Sequence, residues 1–195
     1  MKTRRCEHCR THLGARHAHN ARYCSGRCRT AACRARRTVP AELVERDRWV
    51  RRSAAKVPLT VGGAVASSTN SATWSAHRAA ARSTAGVGLG FVLDGDGVVV
   101  VDLDHCLTVE GALKEWARPV VEAASGCWVE RSVSGEGLHI WGVGRLPGSG
   151  RRLPLAGGGT AEVYGSGRYI AVTGQTWGGA PRRLGDLQDL IDALL

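Results

Sequence analysis

No stretch of this 195-residue sequence stays apolar for more than a few residues. The run around Val98 to Val101 falls far short of the roughly 20 residues that a membrane-spanning helix needs. The first ten residues are polar and basic with no apolar run behind them, a pattern that excludes a secretory signal and predicts a cytoplasmic protein without membrane contact. No internal repeat and no P-loop pattern occurs. Hydrophobic content is not lacking: at 43% it suffices for one ordinary globular domain plus a small appendage.

Acidic residues are scarce in one region only. Residues 1–37 hold eleven Lys or Arg against a single acid, Glu7, whereas residues 38–195 hold sixteen of each sign, so the whole formal charge of +10 lies in the N-terminal fifth. A short segment so charged repels itself unless it folds around something or an anion neutralises it, and nucleic-acid phosphate is the commonest such anion. A solvated basic tail is the alternative.

Five of the seven cysteines share that segment. Cys6-x2-Cys9 and Cys24-x3-Cys28, fourteen residues apart, have the spacing that lets two tight knuckles converge on one tetrahedral Zn²⁺. Leu13 and Tyr23 are the chief large apolar residues here, too few to drive folding, so a metal would have to supply the folding free energy. Disulfides are the competing reading, disfavoured in a reducing compartment. His8, His12, His17 and His19 can each replace a thiolate, and each also reads as an exposed loop residue. Cys33, within an Ala- and Arg-rich basic helix expected over residues 29–37, is a spare. The stretch Arg22-Tyr23-Cys24-Ser25-Gly26-Arg27-Cys28-Arg29 resembles the second knuckle of small treble-cleft-like zinc fingers, which bind DNA or protein.

Beyond the finger, Pro40 and the stripe of Leu43, Val44 and Val50 predict a connecting helix from Ala41 to Ala55. A second helix is expected from Ala72 to Arg82, with Trp74 toward the core, after the capping cluster 67–71. Val87 to Leu93 and Val98 to Leu103 read as strands joined by Asp94-Gly95-Asp96-Gly97 in a tight hairpin. Leu113, Trp116, Val120 and Val121 predict a helix over residues 108–124 that Pro119 bends or divides. Further strands are expected at 128–133, 138–143, 161–164 and 169–173, then a closing helix from about Leu184. The order predicts an α+β fold with a mostly antiparallel sheet. Most of the tryptophans sit at apolar periodic positions, as core, and Cys106 and Cys127 read as buried thiols.

The chemistry concentrates in three places. Val98 to Asp104 sets Asp102 and Asp104 two residues apart at the end of an apolar strand, on one face. Two neighbouring carboxylates there are costly without a cation. Glu162 lies on a later strand, and the three acids can hold two Mg²⁺ or Mn²⁺ ions, which activate a 3′-hydroxyl and stabilise a leaving pyrophosphate. Ser134-Gly135-Glu136-Gly137-Leu138-His139 is a glycine-rich turn running into a strand. Its backbone can approach an anion closely, and His139 can contact a triphosphate.

Together these elements resemble the bifunctional primase/polymerase (Prim-Pol) domain of the archaeo-eukaryotic primase superfamily, over roughly Lys56 to Thr176. Asp102-x-Asp104 matches its first motif and Gly137-Leu138-His139 its second. Ala161-Glu162 matches its third loosely, with small Ala161 for a larger residue and Glu where Asp is common. Residues 86–91 and 167–174 also look like the family. The resemblance implies an RRM-like catalytic sheet, and nucleotide addition on a single-stranded DNA template with Mg²⁺ or Mn²⁺ at Asp102, Asp104 and Glu162. It also implies a nucleoside triphosphate contact at His139, next to those open to the glycine-rich turn at Ser134, Gly135 and Gly137; Arg168 can meet a phosphate or be a surface charge. Lys56, Arg145, Arg151 and Arg152 can meet phosphates or be surface charges. The division expected is a finger over 1–37, a connecting segment over 38–56 and a catalytic domain over 57–195, with a separate helicase as partner. A non-catalytic nucleic-acid-binding module and a metal-dependent nuclease are the competing functions.

Overall fold

In the computed structural model, the valine run of residues 98–101 lies in a central strand covered on both faces, which is why it shows no polar alternation. The structure describes residues 4–7, 9, 11–14, 16–30 and 38–195. It divides into two compact units, Met1–Thr38 and Val39–Leu195.

The second unit begins with α2 (Ala41–Val44), following the helical residues 26–30 (α1) of the first. Two sheets follow. The first has the order β2 (Pro58–Leu59), β1 (Trp49–Arg52), β3 (Gly88–Asp94), β9 (Ser166–Val172), all antiparallel. The second runs β10 (Gly185–Asp186), β6 (Leu138–Val143), β4 (Val98–Leu103), β8 (Thr160–Tyr164), β7 (Gly150–Pro154), and β5 (Trp128–Arg131) also pairs with β6. Only β10 with β6 is parallel. The helices α3 (His77–Arg82), α4 (Arg118–Ala123) and α5 (Gln188–Leu194) complete a mixed fold with mostly antiparallel sheets, as expected. Among the described residues, no helix is long and apolar enough to cross a membrane.

Alternation along β4 divides the core. Val99, Val101 and Leu103 pack with Val120 of α4 and Ile191 of α5. Val98 and Val100 face the other way, among Trp49, Phe91 and Ile170 of the first sheet. Aromatic edges run through this inter-sheet layer, Trp49 to Phe91 at 5.2 Å and Phe91 to Trp141 at 6.0 Å between ring centroids. Trp49, Trp128 and Trp141 are fully buried, as are Cys106 and Cys127 to within 1%.

Four local expectations are corrected. Residues 94–97 turn the chain, with Gly95 and Gly97 at φ 77° and 92°, but β3 and β4 do not pair as a hairpin. The turn passes the chain from one sheet to the other, because each strand finds its partners elsewhere: β3 in β1 and β9, β4 in β6 and β8. The connecting helix stops at Val44. Trp49 and Val50, both fully buried, instead pair with Phe91 and Gly90, a tertiary contact that overrides helical periodicity. The helix expected over 72–82 is split, since Ser75 forms a bridge with Trp49 between a 3-10 turn (Ser71–Thr73) and α3. Only residues 115–123 of the 108–124 helix are helical, with Pro119 in the first turn of α4, where its missing N–H costs nothing. The strands β2, β7 and β10 were not expected.

Candidate active site

Going along β4, Val98 and Val100 fill the inter-sheet layer and Asp102 takes the next position on that face, where the apolar filling ends. Asp102 lies opposite His139 of β6 on one side and Glu162 of β8 on the other. His139 in turn faces Glu130 of β5, and Glu162 faces Arg152 of β7. Directly opposed residues share a face. Arg152, Glu162, Asp102, His139 and Glu130 therefore form one row across five strands, drawn from segments up to 60 residues apart. Asp104 falls in the turn after β4 and is exposed.

Burial raises the Asp102 pKa, and the negative charges of Asp104 and Glu162 add to it. Its Oδ1 is buried with no hydrogen-bond partner, 3.8 Å from His139 Nε2. For His139, burial opposes the charged ring, but the hydrogen bond with Glu130 and the charge of Asp102 outweigh it and raise the pKa. Glu162 Oε2 accepts from the Tyr164 hydroxyl at 2.5 Å, and its Oε1 lies 3.4 Å from Arg152 Nε. Burial and that bond push Tyr164 up to about 12. Arg168 stacks over the Tyr164 ring at 4.4 Å.

A cleft of about 470 Å³ opens over part of this row, a size suited to a small ligand. Asp102, Asp104, Ser132 and His139 line one side, and Lys56, Ser68, Arg168 and Tyr169 line another. Of the residues expected at a nucleotide, His139 and Arg168 are in this cleft. Glu162 is beside Asp102 in the row without lining it. Ser134 and Gly135 border a different depression, with His105, Lys114 and Glu136. Gly137 serves a close approach: a Cβ there would stand 2.8 Å from the Leu103 carbonyl oxygen. Arg145 borders a third depression, with residues of the 94–97 turn, and Arg151 is exposed on β7. Sequence reasoning missed Glu130, whose one signal is that alternation puts it on the same face as Trp128, an apolar face.

In the first unit, Cys6 N–H donates to the Thr11 carbonyl at 2.8 Å and Leu13 N–H to the Arg4 carbonyl at 2.9 Å, forming a knuckle around Cys6 and Cys9. Ser25 Oγ accepts from Cys28 N–H at 3.1 Å and so caps α1. These turns bring the Sγ atoms of Cys6, Cys9, Cys24 and Cys28 within 4.8 Å of one another, with Cys9 and Cys24 3.5 Å apart and Cys24 and Cys28 3.4 Å apart. Four thiolates at about 2.3 Å from a tetrahedral zinc lie about 3.8 Å from each other, so the set fits that ion. Hydrogen bonds with Cys28 and Cys9 push the Cys24 thiol up to about 12, a proton that a bound cation would displace. Among the described residues this is the one group of three or more Cys, His, Asp or Glu that converges so tightly, and the carboxylates around Asp102 are more loosely gathered. His12, His17 and His19 are not in the group, while His8, Cys33 and residues 31–37 of the expected basic helix lie outside the described residues.

No protein-family profile matches the chain. Over 139 residues it is 37% identical to a protein of Nitratiruptor phage NrS-1 named DNA Primase-polymerase, a match covering 67% of this chain and 19% of that protein. The chain thus spans about a fifth of the length of this relative.

Proposed function

From the premise that this chain is a homologue of part of a primase-polymerase, we propose that it is a template-dependent nucleotidyltransferase that extends or initiates strands on single-stranded DNA. The observation that carries this reading is the in-register meeting of Glu162, Asp102 and His139 beside a cleft whose other side bears Lys56 and Arg168. In this reading the second sheet is the RRM-like catalytic sheet of the family.

Asp102, Asp104 and Glu162 are the groups that would hold Mg²⁺ or Mn²⁺. The buried Asp102 Oδ1 without a hydrogen-bond partner supports that assignment, since a cation is the partner it lacks. Bound there, divalent ions supply positive charge to the triphosphate and to the attacking 3′-oxygen. The side chains do the rest. His139, with its raised pKa, favours the charged ring and offers Nε2 to phosphate oxygens, while Arg168 and Lys56 add positive charge on the opposite side. Tyr164 holds Glu162 from one oxygen. The 3′-oxygen then forms a bond to the α-phosphorus, the α–β anhydride bond breaks, and pyrophosphate leaves with the hydroxyl proton released to solvent.

The first unit, with zinc in its four thiols, holds the template or the initiating nucleotide through its excess of positive charge, and a separate helicase opens duplex DNA. Incubation with end-labelled single-stranded DNA and Mg²⁺ or Mn²⁺, with and without nucleoside triphosphates, tests the reading. Longer products that require nucleotides support it. Shortened DNA without nucleotides identifies a nuclease instead, and intact DNA bound by the protein under every condition leaves a binding module.

A further inference from the structure

Glu130 belongs to none of the motifs, yet it is fully buried. A carboxylate in that position is tolerated only when donors fill its oxygens. Oε2 accepts from the backbone N–H groups of Thr173 at 2.9 Å and Gly174 at 2.8 Å, with the Thr173 hydroxyl at 2.9 Å. Oε1 accepts from the Trp141 indole N–H at 3.1 Å and meets His139 Nδ1 at 3.3 Å.

These partners come from both sheets. His139 and Trp141 are on β6, and Thr173 and Gly174 directly follow β9 of the other sheet. The cleft lies between the same two elements, with His139 on one side and Arg168 to Ala171 of β9 on the other. One buried side chain therefore joins the two walls. The chemistry at Oε1 is equally specific. An ionised carboxylate can only accept, so Nδ1 of His139 must carry a proton, which leaves Nε2 facing Asp102 and the cleft.

We propose that Glu130 is a positioning residue for the nucleotide: it holds the His139 ring with Nδ1 protonated and Nε2 toward the cleft, and ties β9 with Arg168 to the same anchor. The part concerning nucleotide rests on the functional reading above, while the ring geometry is testable without it. A carboxylate with a purely structural role would affect folding alone when altered. A positioning residue also keeps Nδ1 a donor, so that a ring giving Nε2–H to phosphate is the doubly protonated one; Glu130→Gln, whose amide donates to Nδ1, excludes that form and weakens nucleotide binding.

The test compares wild type with Glu130→Gln and Thr173→Val. In Glu130→Gln the amide oxygen can serve the Thr173 and Gly174 donors, which turns the amide N–H₂ toward Nδ1, moves the ring proton to Nε2 and leaves the Trp141 N–H without its acceptor. Nitrogen-15 NMR of the imidazoles, at alkaline pH where the ring is neutral and with His139→Asn to assign the signal, reads this directly. The expected result is an Nδ1–H ring in wild type and Thr173→Val and an Nε2–H ring in Glu130→Gln. In primer extension, the nucleotide KM of Glu130→Gln rises roughly 10- to 100-fold, with a smaller change in kcat. An unchanged ring form in folded Glu130→Gln, or a wild-type KM, overturns the proposal. If Glu130→Gln does not fold, Glu130→Asp takes its place: a raised KM with kcat largely kept supports positioning, and an unchanged KM overturns it. Absence of incorporation by wild type would refute the nucleotide reading while the ring form still decides the role of Glu130.

Discussion

Among the described residues of the first unit only Cys6 and Leu13 are buried, whereas the second unit buries three tryptophans, a phenylalanine and some two dozen other apolar side chains above and below its second sheet. One unit has little apolar burial and four converging thiols that fit a metal ion, and the other is held by apolar burial. The contrast extends to where charge is placed. The first unit keeps its one acid, Glu7, near the surface in an ion pair with Arg22 at 2.7 Å, and among its described residues Arg16, Arg27 and Arg29 are also exposed. The second unit, neutral overall, buries His139 and Glu130 and sets a half-buried Asp102 beside them at the end of an apolar layer. Charge at the surface suits contact with a long polyanion, and charge inside suits chemistry on a small one.

The comparison should break most severely at the proposed zinc site. Chelation, or Cys24→Ser, should unfold the first unit, because metal binding of about 10–16 kcal/mol is the folding free energy of such fingers. The second unit should keep its thermal midpoint. Metal analysis and amide spectra of both proteins check this. Phe91→Ala should do the reverse and destabilise the second unit by about 3–5 kcal/mol, with zinc content unchanged.

Asp102→Asn should abolish activity without destabilising the fold. Burial raises the pKa of Asp102 above its unfolded value, so its charged form opposes folding, a penalty that grows as pH rises through the interval between the two values. The asparagine variant should therefore melt at the same or a higher temperature than wild type at pH 7, and the difference should vanish at strongly acid pH. The smallest effect is expected at Asp96, which pairs with Arg46 at 2.9 Å and with Arg48. Burial alone would raise its pKa, but the bonds from Arg46 and Arg48 lower it, so its stabilisation is present above the unfolded value and is lost as pH falls through the folded one. Because Asp96 is partly exposed, Asp96→Asn should cost less than about 1 kcal/mol at pH 7, and nothing in acid.

The cysteine spacing and the Asp102, His139 and Glu162 motifs are local patterns, and each was legible from residue type and order alone. Their meeting at one site is expected from the chemistry of the acids, but the strand pairing that brings them together is not. Asp102 faces Glu162 only because β4 pairs with a strand 60 residues onward rather than with its neighbour β3, and no turn residue encodes that choice. The Asp94 to Gly97 segment has hairpin chemistry and still serves a crossing between sheets. Val50 belongs to a helical stripe and lies in a strand for the same reason, since its partner is Gly90, 40 positions later. Glu130 reads as an ordinary polar strand position until the segment that follows β9 supplies its donors.

Extension of a primed single-stranded template, followed with wild type, Asp102→Asn and Cys24→Ser in Mg²⁺ or Mn²⁺, bears most directly on the claim that the carboxylate row of the second unit performs nucleotide transfer. The account predicts incorporation by wild type, none by Asp102→Asn, and primed extension retained by Cys24→Ser with loss confined to unprimed synthesis. Incorporation by Asp102→Asn at the wild-type rate would contradict it.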